Sequence, residues 1–186
     1  DLYCVFSSNV TSKWVDDKNK INVDKNIEEW TKLSKSMADE KQTRTFTMWS
    51  DEWSEGFFKQ ESAPKGNVFC YFGPKWFIDS CMSADEEGAI AADGGWGACK
   101  GPQSFFWGGM WICAAAGTDD PDLVKDIMIT MTTDKEVLNE IVTVDDEFIN
   151  SKTVMEELAN NAEYKIEALG GQNAVQMFLE GIESID

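Results

Sequence analysis

Histidine is absent from this chain, and basic residues are scarce. The 186 residues include 0 His, and 16 Lys and Arg stand against 34 Asp and Glu, for a formal net charge of -18. The absence of histidine excludes a Ser-His or Cys-His catalytic pair. Such a negative chain repels nucleic acid phosphates and anionic lipid surfaces, so we expect no nucleic acid partner.

Paired cysteine motifs are missing as well. The five cysteines are widely spaced without a C-x-x-C pair, so we expect no metal site and no cofactor. Several lie in apolar runs, where a cysteine behaves as a small buried hydrophobe, and we interpret them as unpaired core thiols. A disulfide between Cys70 and either Cys99 or Cys113 is the alternative.

No hydrophobic run reaches the roughly 18 apolar residues of a membrane-spanning helix. The chain is long enough to bury a core, and we expect a single domain over residues 1–186. It begins at Asp1 with neither a start methionine nor a signal-like apolar segment. We therefore interpret it as a mature segment or an excised piece.

Three runs rich in apolar and aromatic residues predict β-strands at residues 68–72, 95–99 and 110–116. The third is nearly all apolar, as expected for a strand covered on both faces. A further β-rich run is expected at Leu2–Ser8. Because these runs alternate with helical patterns, we predict an α/β fold, a mixed sheet flanked by helices.

Helix start signals recur along the chain. Asp120 before Pro121 is typical of an N-cap followed by proline at the first helical position, and Thr133 with Glu136 has the capping-box spacing. Further helices are expected to begin at Asp24 or Asn26, after Pro74, at Asn150 or Ser151, and at Gly170 to Asn173.

Aromatic residues make up 12% of the chain, with 8 Trp, and they crowd around Gly108 and Gly109. Glycine lets a ligand approach the backbone closely. Tryptophan offers a flat apolar face for the C–H face of a sugar, and the many Asp, Glu, Asn and Gln side chains can bond its hydroxyls. These features are compatible with carbohydrate binding, but taken alone they are more typical of an ordinary aromatic-rich core.

Enzymatic activity is the rival interpretation. The acidic runs 50–55 and 144–148 could each host the carboxylate pair of a glycoside hydrolase. Carboxylates are so numerous here, however, that such pairs have little specificity, and a solvated surface and helix caps account for them better. We predict a binding protein and no catalytic step, with a glycoside hydrolase fragment or a stand-alone carbohydrate-binding module as the alternative.

Three segments carry a resemblance to a known family. Residues 68–76, 94–128 and 169–178, in this order, resemble the C-terminal-lobe portion of bacterial extracellular solute-binding proteins of family 1. These are the sugar receptors of ABC importers related to maltose-binding protein. The resemblance implies one lobe of a type II periplasmic-binding-protein-like fold, in which two α/β lobes close around a ligand.

The resemblance also implies partners and a location. The ligand would be an oligosaccharide, delivered to the permease subunits of an ABC transporter. The N-terminal lobe of the same protein, missing from this chain, would supply the other half of the site. The protein would be extracellular, as a cell-surface lipoprotein or in the periplasm.

Candidate ligand-binding residues follow from the same match. Lys75 and Trp76 stand at a cleft turn where relatives place a sugar-stacking aromatic after Gly-Pro. The segment Trp107, Gly108, Gly109, Met110 and Trp111 corresponds to the Gly-Gly cleft segment of the family, and Gln172 lies in the third matching segment.

A regular strand at residues 110–116 would point Met110 and Trp111 to opposite faces. We therefore expect Trp107 to be the exposed stacking aromatic and Trp111 the more buried of the two.

Overall fold

A computed structural model describes residues 1–59, 68–82 and 88–185. These ranges contain eight α-helices: α1 (Leu2–Ser7), α2 (Lys25–Asp39), α3 (Asp51–Ser54), α4 (Lys75–Phe77), α5 (Pro121–Thr133), α6 (Lys135–Val144), α7 (Lys152–Ala159) and α8 (Val175–Ile182). A π-helical turn, Ile78–Met82, continues α4. Short 3-10 helices lie at Glu55–Phe57, Ala91–Asp93 and Glu167–Leu169.

The predicted mixed sheet is wrong. Helix accounts for 47% of the structure and strand for 3%. Between residues 1 and 185, leaving out 60–67 and 83–87, strand pairing is limited to three isolated bridges, at Val15–Ile21, Phe58–Ala89 and Ile166–Gln172. The chain is therefore neither a sheet flanked by helices nor a lobe of the expected type.

The physical reason lies in the three runs that were predicted to be strands. β-propensity measures how well side chains pack on a pleated surface, so a run without a partner gains nothing from it. Residues 68–72 and 95–99 are irregular, and every residue of 110–116 is exposed. Glycines at both ends of 110–116 weaken pairing further, since Gly108 and Gly117 adopt positive φ angles of 68° and 81°.

The N-terminal run is also helical rather than extended. Residues Leu2–Ser7 form α1, which buries Val5 and Phe6. Tyr3 on this helix packs edge to face on Trp30 of α2, with ring centroids 5.0 Å apart. The short helix is thus held by its contacts with α2, which local β-propensity does not record.

Local capping signals located most of the longer helices. The side chain of Asp120 accepts a hydrogen bond from the backbone N–H of Leu123 at 3.1 Å, and Asp24 and Ser151 cap α2 and α7 in the same way. These caps confirm the predicted starts of α2, α5 and α7. A helix also begins directly after Pro74, as predicted.

The start of α6 is shifted by one residue from the predicted Thr133. Asp134 Oδ1 accepts hydrogen bonds from the N–H groups of Glu136 at 3.0 Å and Val137 at 3.1 Å. The Thr133 hydroxyl instead donates to the Ile129 carbonyl at 2.8 Å and so belongs to the end of α5. A carboxylate satisfies two unpaired N–H groups of the first turn at once.

Helices α6, α7 and α8 enclose the first of three buried clusters, made of Leu138, Val142, Val154, Met155, Leu158, Val175 and Leu179. Asn173 joins α8 to α7. Its Oδ1 accepts from the N–H of Val175 at 3.1 Å, while its Nδ2 donates to the Leu158 carbonyl at 3.1 Å. Helix α8 begins at Val175, two residues after Asn173, and Ala174 is its N-cap residue.

The second cluster lies where two turns touch. Gly94 and Gly170 both have positive φ, 61° and 63°. A Cβ on Gly94 would lie 2.7 Å from Gly170 Cα, and a Cβ on Gly170 would lie 2.9 Å from Gly94 O. Only glycine permits the two backbones to come this close. The turns pack beside the second cluster, which consists of Ile78, Ala91, Ile166, Ala168, Leu169 and Ala174.

The third cluster is aromatic. It consists of Trp53, Phe57, Phe77 and Met82, with Tyr71 and Trp96 packed against it. Trp53 and Phe57 are both buried, and their rings lie 5.0 Å apart. Tyr71 donates a hydrogen bond to the Trp53 carbonyl at 3.0 Å.

All five cysteines are free thiols. Cys4 and Cys81 are partly buried, whereas Cys70, Cys99 and Cys113 are exposed. The expectation of core thiols is therefore wrong for these three, for the same reason as the strands: the apolar runs that carry them are not covered by a sheet.

We expect Asp134→Ala to lower the free energy of unfolding by about 1 kcal/mol, because two N–H groups of α6 lose their acceptor. Thr133→Ala is the matched control and should change stability much less, since its hydroxyl only reinforces the end of α5. Urea denaturation followed by circular dichroism measures both. A larger loss for Thr133→Ala would restore the capping box predicted from the sequence.

Candidate functional site

Trp49, Trp76 and Trp107 form a group of neighbouring rings, which we call the tryptophan cluster. The rings of Trp49 and Trp76 stack with centroids 6.2 Å apart, and those of Trp76 and Trp107 meet edge to face at 5.9 Å. Trp107 also lies 6.3 Å from Trp49. Indole rings from three separate parts of the chain therefore meet at one place.

Different contacts hold the rings of Trp76 and Trp107 in place. Trp76 follows the first residue of α4, and its indole N–H donates to the Trp107 carbonyl at 3.3 Å. Trp107 stacks on the buried Phe77 with centroids 6.3 Å apart. This packing leaves Trp76 and Trp107 partly buried and fixes the positions of both rings.

Trp49 completes the cluster from the loop before α3. The next residue, Ser50, caps α3 by accepting from the Trp53 N–H at 3.3 Å. The Trp49 ring packs on Trp53 at 5.0 Å and yet is 53% exposed. Its φ of 72° is rare for a bulky residue, and such strained positions are over-represented at functional sites.

The two glycines after Trp107 leave the backbone uncovered. A Cβ built on Gly108 or Gly109 has nothing within 4 Å. Gly108 also requires glycine because its φ is 68°. A flat ligand could therefore lie directly against this backbone next to the tryptophan cluster, as the sequence suggested.

Met110 and Trp111 extend this open surface, with exposed fractions of 89% and 79%. The expectation that Trp111 is more buried than Trp107 is wrong. It assumed a regular strand with alternating faces, and no strand forms here. Trp107 has several ring partners, whereas Trp111 projects from an exposed irregular segment.

Lys75 lies apart from this surface. Only 4% of the residue is exposed, and its ammonium nitrogen is 2.7 Å from Asp79 Oδ2 and 3.3 Å from Asp146 Oδ2. It also donates to the backbone carbonyl of Asp146. The ammonium group thus donates two hydrogen bonds and forms a further ion pair, and the predicted ligand contact of Lys75 would require this ion-pair cluster to open.

Two groups near Lys75 have raised pKa values. Burial raises the pKa of the Asp79 carboxyl, and hydrogen bonding to the Lys75 ammonium only partly offsets this effect. Burial also raises the pKa of the Tyr164 hydroxyl, which donates to the Asp146 carboxylate. The acidic run 144–148 thus takes part in a buried polar network through Asp146.

Gln172 likewise has internal partners. Its Oε1 accepts from the N–H of Ala98 at 2.8 Å, and its Nε2 donates to the carbonyl of Ala98 at 2.9 Å. The side-chain amide thereby pairs with the backbone as a neighbouring strand would. The structure gives Gln172 this bracing role, and its predicted contact with a ligand stays a prediction.

The structure brings together Trp76, Trp107, Gly108 and Gly109 from the predicted set, with Met110 and Trp111 close along the chain. It adds Trp49, which the sequence analysis did not single out. The available signal was its position just before Ser50, a good N-cap residue at the start of a short acidic helix. That signal fixes a backbone turn but does not identify the ring partners.

Comparisons with known proteins found no match to this chain among protein-family models, curated proteins or solved structures. Over the described ranges, no helix has the length and apolar character needed to cross a membrane. In the same part of the chain, Cys, Asp and Glu side chains form no group of three or more suited to hold a metal ion.

We expect Lys75→Met to lower the free energy of unfolding by about 1–3 kcal/mol, because Asp79 and Asp146, whose side chains are 24% and 44% exposed, lose their cation. Lys13→Met is the matched control, since Lys13 and Asp17 have the same i,i+4 spacing as Lys75 and Asp79 but form an exposed pair, 3.3 Å apart. Exposed pairs contribute little to stability.

Guanidinium denaturation of both variants measures the difference. Equal, small losses would show that the Lys75 cluster does not hold the fold together.

Proposed function

We propose that this chain binds an oligosaccharide through the tryptophan cluster, without catalysing a reaction. The observation that carries the proposal is Trp49, an indole ring 53% exposed and held on a base of packed aromatic rings. Covering an apolar face that is otherwise in contact with water is favourable. A sugar ring has an apolar C–H face of matching size.

A polar group for the sugar hydroxyls follows this ring in the sequence. Asp51 starts α3 two residues after Trp49, and it is exposed. Carboxylates accept hydrogen bonds from hydroxyls, and charged acceptors form the stronger bonds. An exposed tryptophan followed by a carboxylate provides both kinds of contact that a sugar needs.

The open backbone at Gly108 and Gly109 supplies a second side to the site. A ligand that stacks on Trp49 beside Trp107 meets these residues next along the chain. Trp111, exposed four residues after Trp107, adds a further stacking surface.

In its wider role, we propose that the chain belongs to an extracellular sugar receptor of an ABC importer. Support comes from the three sequence segments that resemble solute-binding proteins of family 1. The proposed partners are the permease subunits and a second lobe that closes over the sugar. Since the expected sheet is not formed, the sugar site itself depends on the tryptophan cluster rather than on the fold of that family.

Calorimetric titration of the chain with neutral oligosaccharides tests this function. Half of a two-lobed site makes only part of the contacts, so a receptor portion should bind weakly, whereas micromolar binding would favour a stand-alone carbohydrate-binding module. Hydrolysis of chromogenic glycosides would favour the glycosidase alternative. No binding to any sugar would refute the proposal.

We expect Trp49→Ala to weaken sugar binding by about 1–3 kcal/mol, in analogy with the loss of an aromatic that stacks on a nucleic acid base. Trp14→Ala is the matched control, because Trp14 is 52% exposed but lies outside the tryptophan cluster. Tryptophan fluorescence during sugar titration measures both affinities. Equal losses would show that Trp49 is not the stacking surface.

We expect Gly109→Ala to weaken sugar binding while leaving the melting temperature unchanged. The added methyl group meets nothing within 4 Å in the free protein, but it would separate a bound sugar from the backbone. Gly181→Ala, in α8, is the control. Its added methyl group would make an ordinary van der Waals contact, 3.6 Å from Ser104 Oγ. Unchanged binding by Gly109→Ala would remove the two glycines from the site.

A further inference from the structure

Cys70 and Cys99 lie on two irregular segments that run beside each other. The residue after Cys70, Tyr71, packs edge to face on Trp96 with ring centroids 6.0 Å apart. The Phe72 ring approaches to 3.7 Å from the position of a Cβ on Gly101. Contacts on both sides of Cys99 thus tie its segment to the residues that follow Cys70.

The direction of the pKa shift of Cys70 agrees with this placement. Burial raises the pKa of Cys70, and the charge of Cys99 raises it further. Cys99 is the cysteine that acts on Cys70 in this way, although the sequence alone left Cys99 and Cys113 as equal candidates. Both Cys70 and Cys99 are exposed, so a small oxidant can reach them.

We infer that Cys70 and Cys99 are a disulfide-forming pair, which closes by exchange with a small-molecule disulfide such as oxidised glutathione. The segments around both residues lack regular secondary structure. Their backbones can therefore adjust to the Cα separation of roughly 4.4–6.8 Å that a disulfide needs without breaking a helix.

The exchange proceeds in two balanced steps. One cysteine, as its thiolate, attacks a sulfur of glutathione disulfide, which forms a mixed disulfide and releases one glutathione thiolate. The other cysteine thiolate then attacks the protein sulfur of the mixed disulfide and releases the second glutathione. Two protein thiols are oxidised, one glutathione disulfide is reduced, and the two protons pass to the released glutathione molecules.

The bond would brace the aromatic part of the molecule. Tyr71 packs on Trp53 at 5.6 Å and on Phe57 at 4.7 Å, and Trp53 in turn supports Trp49. A covalent link next to Tyr71 restrains the segment that holds these rings. This role is independent of the proposed sugar binding, because it concerns the thiols and the packing beneath the tryptophan cluster.

The test is oxidation of the native chain with oxidised glutathione at about pH 8.5, near the usual pKa of a free cysteine, followed by non-reducing peptide mass spectrometry and thiol counting. We expect the loss of two thiols and a peptide pair linked through Cys70 and Cys99. Cys70→Ser and Cys99→Ser should each abolish that pair. Cys113→Ser, the matched exposed control, should leave it intact.

The same oxidation in concentrated urea separates native proximity from chance pairing. We expect the cross-links to spread over other cysteines there, because the packed segments no longer hold Cys70 beside Cys99. A predominant link from Cys70 to Cys113 in the native chain would overturn the inference. Glutathione adducts that persist on both Cys70 and Cys99 would overturn it as well.

Discussion

The buried ammonium group of Lys75 joins the aromatic part of the chain to its helical part. It extends from α4, which carries rings of the aromatic cluster, to Asp146 in the turn after α6. Asp146 accepts in turn from Tyr164, which packs against both other buried clusters. A buried cation must be fully paired to be tolerated, so this one residue fixes the relative position of elements that are distant in sequence.

The candidate site inherits its rigidity from this ion pair. Trp76 and Phe77 directly follow Lys75, so the cluster that holds the lysine also fixes both rings. The Phe77 ring stacks on Trp107, and the Trp76 indole N–H donates a hydrogen bond to the Trp107 carbonyl. The Trp49 ring then packs on rings that already have several contacts. A preorganised aromatic surface loses little conformational entropy on binding, which favours ligand affinity.

Features set by neighbours in sequence were predictable here, and features set by distant partners were not. Asp120, Ser151 and Asn173 act on backbone groups within a few residues, so the helices they start could be located from sequence. A strand needs a partner elsewhere in the chain, and the run 110–116 has the composition of a strand without one. Trp49 was missed and Trp111 misplaced for the same reason, because ring contacts over long sequence distances decide which tryptophan is buried.

The charge of the chain gives the proposed site a selectivity of its own. The net charge is -18, and the exposed Asp51 follows Trp49 by two residues. A field of this sign repels phosphorylated or carboxylated sugars and leaves neutral ones unaffected. Stacking on tryptophan and hydrogen bonding to carboxylates both suit a neutral sugar rich in hydroxyl groups, so the electrostatics and the shape of the surface select the same class of ligand.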